Sequence, residues 1–88
     1  MKLKYNFVTR NVDGNLVAVA VGSDSASFRG MIKLNETGGV IFEMLSRDTT
    51  VEEIADCICR KFDVSEDTAL GEVREFTDGL RGRGLIED

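Results

Sequence analysis

The chain has 88 residues, enough for one small core and not for a second domain, so a single domain over residues 1–88 is expected. Its 42% hydrophobic and 31% charged residues are those of an ordinary water-soluble globule, and no apolar run nears the roughly 20 residues needed to cross a bilayer. The net charge of −5 argues against non-specific binding to nucleic acid, and the absence of His removes the usual general base and the commonest metal ligand. Met1-Lys2-Leu3-Lys4-Tyr5 is basic but has no apolar segment behind it, so a signal peptide is not expected and the cytoplasm is.

The first third is strand-like. Tyr5 to Val12 is rich in aromatic and β-branched residues, and Asp13-Gly14-Asn15 supplies a hairpin turn. Leu16 to Val21 returns as a second strand, with Val17, Val19 and Val21 on one face and Ala18 and Ala20 on a thinner one. Gly22 to Ser27 reads as a polar loop, and Met31 to Leu34 as a third strand of an antiparallel meander.

At Asn35 the period changes from two to 3.6. Asn35 is a good N-cap, and Thr37, Val40, Ile41, Met44 and Leu45 share one helical face. Phe42 lies off that face and is expected to pack under a loop or the next helix. Gly38 and Gly39 each cost about 1 kcal/mol relative to Ala, which close approach to the sheet would explain. Thr50-Val51-Glu52-Glu53 is a capping box opening a second helix, along which Val51, Ile54, Ala55, Ile58 and Phe62 form the apolar stripe. Ser65 caps a third helix whose buried stripe is expected to be Ala69, Val73, Phe76 and Leu80. Gly82 and Gly84 end it, and Leu85-Ile86 can fold back onto the core. The order is βββααα, an α+β fold.

Catalytic constellations are absent from this pattern. Cys57 and Cys59 lie two apart on a helix, so their side chains diverge by roughly 200° and cannot share a metal or bridge there. Glu52 and Glu53 read as capping and dipole residues rather than an acid/base pair. No enzyme, cofactor or metal is expected.

Four motifs occur in order at natural spacing. They are Met31-Ile32-Lys33-Leu34-Asn35-Glu36-Thr37-Gly38 with Ile41 to Leu45, then Thr50 to Ala55, Phe62-Asp63-Val64, and Arg83-Gly84-Leu85-Ile86. Together they resemble the PqqD-like family. That resemblance implies a compact winged-helix-like fold acting as a recognition element for ribosomally made, post-translationally modified peptides. Such a domain is a chaperone that binds the leader segment of a precursor peptide and delivers it to a modifying enzyme, often a radical S-adenosylmethionine protein. From charge and hydropathy neither nucleic acid nor membrane is expected as a partner, and a monomer or weak homodimer is expected, since an exposed strand edge can also pair with itself. Two other readings of the residues stay open: a winged-helix DNA-binding regulator, and a small oligomerisation module.

Site expectations follow from the surfaces. Gly30, Met31, Ile32, Lys33 and Leu34 make an edge to which an extended peptide can add as a strand. On the third helix, stepping about 100° per residue from Ala69 sorts the charges. Leu70, Thr77, Arg81 and Arg74 lie on one flank, Glu72 and Glu75 on the other. Residues 1–33 carry a balance of +3, with Lys2, Lys4, Arg10, Arg29 and Lys33 against Asp13 and Asp24, and the remainder carries −8. The peptide is therefore expected along Met31 to Leu34 and against Leu70, Arg74, Thr77 and Arg81. A client pairing an apolar residue with a nearby Asp or Glu would suit that flank.

Overall fold

The computed structural model describes residues 1–22 and 30–88. The expected loop from Gly22 to Ser27 falls, apart from Gly22, outside them. The elements are β1 (Lys2–Leu3), β2 (Phe7–Val12), β3 (Asn15–Ala20), β4 (Met31–Leu34), α1 (Glu36–Met44), α2 (Val51–Phe62), α3 (Glu66–Gly82) and β5 (Ile86–Glu87). The three-stranded antiparallel sheet has the order β2-β3-β4, followed by three helices. The α+β class and strand-then-helix order are as the sequence implies.

The first expected strand, Tyr5 to Val12, is shortened at its start, and a two-residue strand that the sequence reading does not anticipate precedes it. Lys2 and Leu3 pair antiparallel with Glu87 and Ile86 in a separate two-stranded sheet, and β2 starts only at Phe7. Leu3 also donates its N–H to the Leu45 carbonyl at 2.8 Å, and Lys4 donates to that of Leu85 at 2.8 Å. The start of the chain thus ties the end of α1 to the end of the chain.

The β2–β3 hairpin turns at Asp13 (φ 52°) and Gly14 (φ +81°). Positive φ at both central residues is the type I′ geometry whose twist matches the flanking strands. It is the thinner face of β3 that meets the helices: Ala18 is fully buried, and Leu16 packs against the same cluster. Val17 is buried on the opposite face, in register with Arg10 and Lys33.

The paired glycines of α1 now have a cause. A Cβ on Gly39 would sit 2.6 Å from Leu16 Cδ2, and one on Gly38 would sit 3.0 Å from Phe76 Cε2. The helix approaches both sheet and α3 too closely for side chains there. Phe42 is 2% exposed within the core cluster and packs edge-on against Phe7, centroids 5.1 Å apart at 82°, so it is a packing residue as expected, with a strand of the sheet among its partners.

Each helix opens on its expected cap. Asn35, Thr50 and Ser65 accept from the N–H groups of Gly38 (2.7 Å), Glu53 (3.1 Å) and Thr68 (3.2 Å). The capping box at α2 is only half formed, because the Glu53 carboxylate accepts the Thr49 hydroxyl at 3.3 Å instead of the Thr50 N–H. Asp63 ends α2 in the left-handed region at φ 53°. α3 ends in a Schellman turn. Leu85 N–H donates to the Leu80 carbonyl and Gly84 N–H to that of Arg81, both at 3.0 Å, with Gly84 at φ +75°. That turn drops Leu85 into the core at 1% exposure and aims β5 at β1.

Along α3 the fully buried positions are Ala69, Val73, Thr77 and Leu80. Thr77 takes the place that the sequence reading gave to Phe76. Its hydroxyl donates to the carbonyls of Val73 (2.9 Å) and Arg74 (3.2 Å), so the side chain enters the core with its polarity satisfied by its own helix. Phe76 is only half-buried.

Candidate peptide-binding groove

β4 is an edge strand, paired on one side with β3. Ile32 and Leu34 are buried and Met31 and Lys33 are exposed. The register settles which backbone groups face outward. In a two-residue type I′ hairpin the flanking residues, here Val12 and Asn15, form a hydrogen-bonded pair. Alternation then directs the N–H and C=O of Leu16 and Ala18 toward β4, where their partners are Leu34 and Ile32. The backbone groups of Met31 and Lys33 therefore point away from the sheet. Among the described residues they meet no backbone partner. The strand presents a two-residue template at its open edge, blunted by one lysine.

Beside this edge is an open cleft of about 590 Å³, lined on one side by Ile32, Asn35, Thr37, Gly38 and Ile41. Its other wall is a stripe of α3: Glu72, Glu75, Phe76, Gly79, Leu80 and Arg83. These positions follow i, i+3, i+4, i+7, i+8 and i+11, so the cleft runs along the helix for about 16 Å. Its floor is apolar, and its rim bears two exposed carboxylates at one end and Arg83 at the other.

The expected site residues separate into two groups. Ile32 lines the cleft, and Gly30, Met31, Lys33 and Leu34 belong to the strand beside it or its start. The helical four are placed differently. Leu70 packs against the hydrophobic cluster, and Thr77 is 1% exposed within it. Arg81 is held by Asp88 at 2.9 Å and Asp78 at 3.1 Å, on the side of the helix near Met1. Arg74 is exposed, and it is not among the residues lining the cleft. On the helical wheel from Ala69, Arg81 and Arg74 stand near 120° and 140°, whereas Phe76, Glu72, Gly79 and Glu75 stand near −20°, −60°, −80° and −120°. The flank that faces β4 is the acidic one. Sequence reasoning passed over Phe76, Gly79 and Arg83 as groove residues. The available signal was Gly79 itself, a glycine within the expected helix whose added Cβ would meet nothing within 4 Å, although Gly71 gives the same signal outside the cleft.

The perturbed titrations lie outside the cleft. The hydrogen bond to Arg81 holds the Asp88 carboxyl below its ordinary value, and that bond and the Asp88 charge raise Arg81. Asp48 is lowered by its hydrogen bond to the Met1 ammonium at 2.6 Å. Cys57 and Cys59 are free thiols, both half-buried, with Cys59 against the core. No group of three or more metal-ligating side chains occurs among the described residues, and no described helix is long and apolar enough to cross a membrane.

A small α+β domain with an unpaired strand edge beside a helix-walled groove belongs to the architectures that take up extended peptide. Residues 16–86 match the family model of coenzyme PQQ synthesis protein D, and the chain belongs to that PqqD family. A search of curated protein sequences gives no match. Among solved structures the fold resembles TbiB1 in complex with the TbiA(beta) leader peptide, at TM-score 0.72 and 25% identity, covering 99% of this chain and 95% of that one.

Proposed function

We propose that this chain is a non-catalytic peptide chaperone that binds the leader segment of a ribosomally made precursor peptide and presents it to a modifying enzyme. The observation that carries this reading is the outward-facing backbone of Met31 and Lys33 beside an apolar groove, in a PqqD-family chain whose fold matches a leader-peptide complex. The leader adds as a strand antiparallel or parallel to β4, with backbone bonds at Met31 and Lys33 supplying affinity. Alternate side chains enter the groove between Ile32 and Phe76 and supply selectivity. The recipient is a peptide-modifying enzyme, of the radical S-adenosylmethionine class by family resemblance, and the complex works in the cytoplasm.

The regulator reading finds no support: the exposed surface of α3 carries Glu66, Asp67, Glu72, Glu75 and Asp78 against Arg74 and Arg81. A recognition helix needs the opposite balance. The test is an amide chemical-shift titration with the precursor peptide encoded beside this gene, and in parallel with duplex DNA. Shifts at Met31 and Lys33 with peptide are expected. A response to DNA alone, or peptide shifts that avoid β4, would overturn the proposal.

A further inference from the structure

The two carboxylates of the groove rim point to the chemistry of the client. Glu72 and Glu75 are exposed, stand three residues apart on the wall facing β4, and have no ion-pair partner among the described residues. Like charges at this helical spacing repel, and a cation brought between them relieves that repulsion. Of the cations expected to favour an acidic client, Arg81 is engaged by Asp78 and Asp88 and Arg74 is on the far flank, and the cleft's own cation, Arg83, stands at the opposite end of the rim, eight residues beyond Glu75.

The spacing along the wall fixes a pattern. Gly79 leaves open space above the helix, next to Phe76 and Leu80 and opposite Ile32, where a bulky side chain fits. Glu75 precedes it by four residues, about 6 Å along the axis. Side chains on one face of a strand recur every two residues, about 6.7 Å. A residue seated over Gly79 thus places the side chain two positions away beside Glu75. Glu72 lies about 4.5 Å further on, within the reach of a lysine or arginine stem.

Resting on the strand-addition reading above, we propose that the groove selects a cationic client: an extended segment with an aliphatic or aromatic side chain over Gly79 and a lysine or arginine two positions away, facing Glu72 and Glu75. The rim then sets which peptides are admitted, and the strand edge holds any that are.

The test uses capped decapeptides that are uncharged apart from one varied position and share a β-forming background. One carries Leu and Lys two positions apart, and a second replaces that Lys by Glu. Both are titrated into the protein and followed by amide shifts. Two exposed ion pairs, each worth a two- to threefold change, should make the Lys peptide bind about fivefold more tightly at low salt. The difference should shrink at high salt. The Glu72→Lys/Glu75→Lys variant should reverse the preference, and Arg74→Glu/Arg81→Glu should leave its sign unchanged. Thermal melts check that both variants remain folded. Equal binding of the two peptides, or a wild-type preference for the Glu peptide, overturns the cationic client and leaves strand addition standing. Binding of neither peptide, with no shift at Met31 or Lys33, overturns strand addition and the client assignment together.

Discussion

Gly79→Leu separates stability from binding in a single substitution. The position is exposed, at the start of the last turn of α3, and a Cβ there would meet nothing within 4 Å. Glycine in a helix interior costs about 1 kcal/mol relative to Ala, and Leu is nearly as good a helix former as Ala. The variant should therefore gain somewhat under 1 kcal/mol, which for a domain of this size raises Tm by about 4–8 °C per kcal/mol. The new side chain projects into the groove beside Phe76 and takes the space of the client's apolar anchor. Burying such an anchor is worth about 1.5–3 kcal/mol, so affinity for the leader peptide should fall roughly 10- to 100-fold. Gly71→Leu is the control, being a helical glycine equally open to space but outside the groove. It should give the same thermal gain with unchanged affinity. Melting followed by circular dichroism and a peptide titration read both quantities. Undiminished binding by Gly79→Leu would refute the groove assignment, and a lowered Tm would refute the claim of open space.

Phe42→Ala removes the ring that joins α1 to β2 and should cost about 3–5 kcal/mol. That is a large share of the roughly 4–13 kcal/mol available to a chain of this length, and a variant that melts like wild type would show the ring is not core. Asn35→Ala removes the acceptor for Gly38 N–H and should cost about 1 kcal/mol in chemical denaturation. Arg81→Ala should return the Asp88 carboxyl to its ordinary range, read by side-chain NMR titration. Because the folded value of Asp88 is depressed, its pairing favours the native state above the ordinary carboxylate range and is lost as pH falls through the depressed value. Asp88→Asn should accordingly remove that part of the acid sensitivity. Replacing Cys57 and Cys59 by Ser should leave peptide affinity unchanged by titration, since both lie outside the groove.

The local elements were legible because local chemistry dictates them. Asp13-Gly14 tolerates the two positive φ angles of a type I′ turn, and Asn35, Thr50 and Ser65 are side chains that satisfy a first-turn amide. The β1–β5 pairing was not legible, because two-residue strands some 80 positions apart leave no periodic signal. Thr77 was misplaced for a different reason. A hydroxyl reads as surface in any hydropathy pattern, yet bonding to the carbonyl four residues back lets it bury like a valine.

That single substitution of Thr77 for Phe76 in the buried stripe carries the largest consequence for function. It turns α3 about its axis relative to the expected packing, moving the centre of the buried face toward Thr77 and bringing Phe76, Glu72 and Gly79 out into the cleft. Amphipathicity fixes which stripe of a helix is inside, but the two flanks of that stripe are equivalent until a neighbour is placed. Here the neighbour is β4 with the start of α1, and Gly38 against Phe76 is the contact that sets the choice. The division of charge along the chain offered no help. A surplus of +3 in residues 1–33 describes a segment, whereas recognition depends on a face assembled from Ile32, Gly38 and one side of α3. The acidic rim is therefore a property of the tertiary fold, and the client's charge follows from the rotation of one helix.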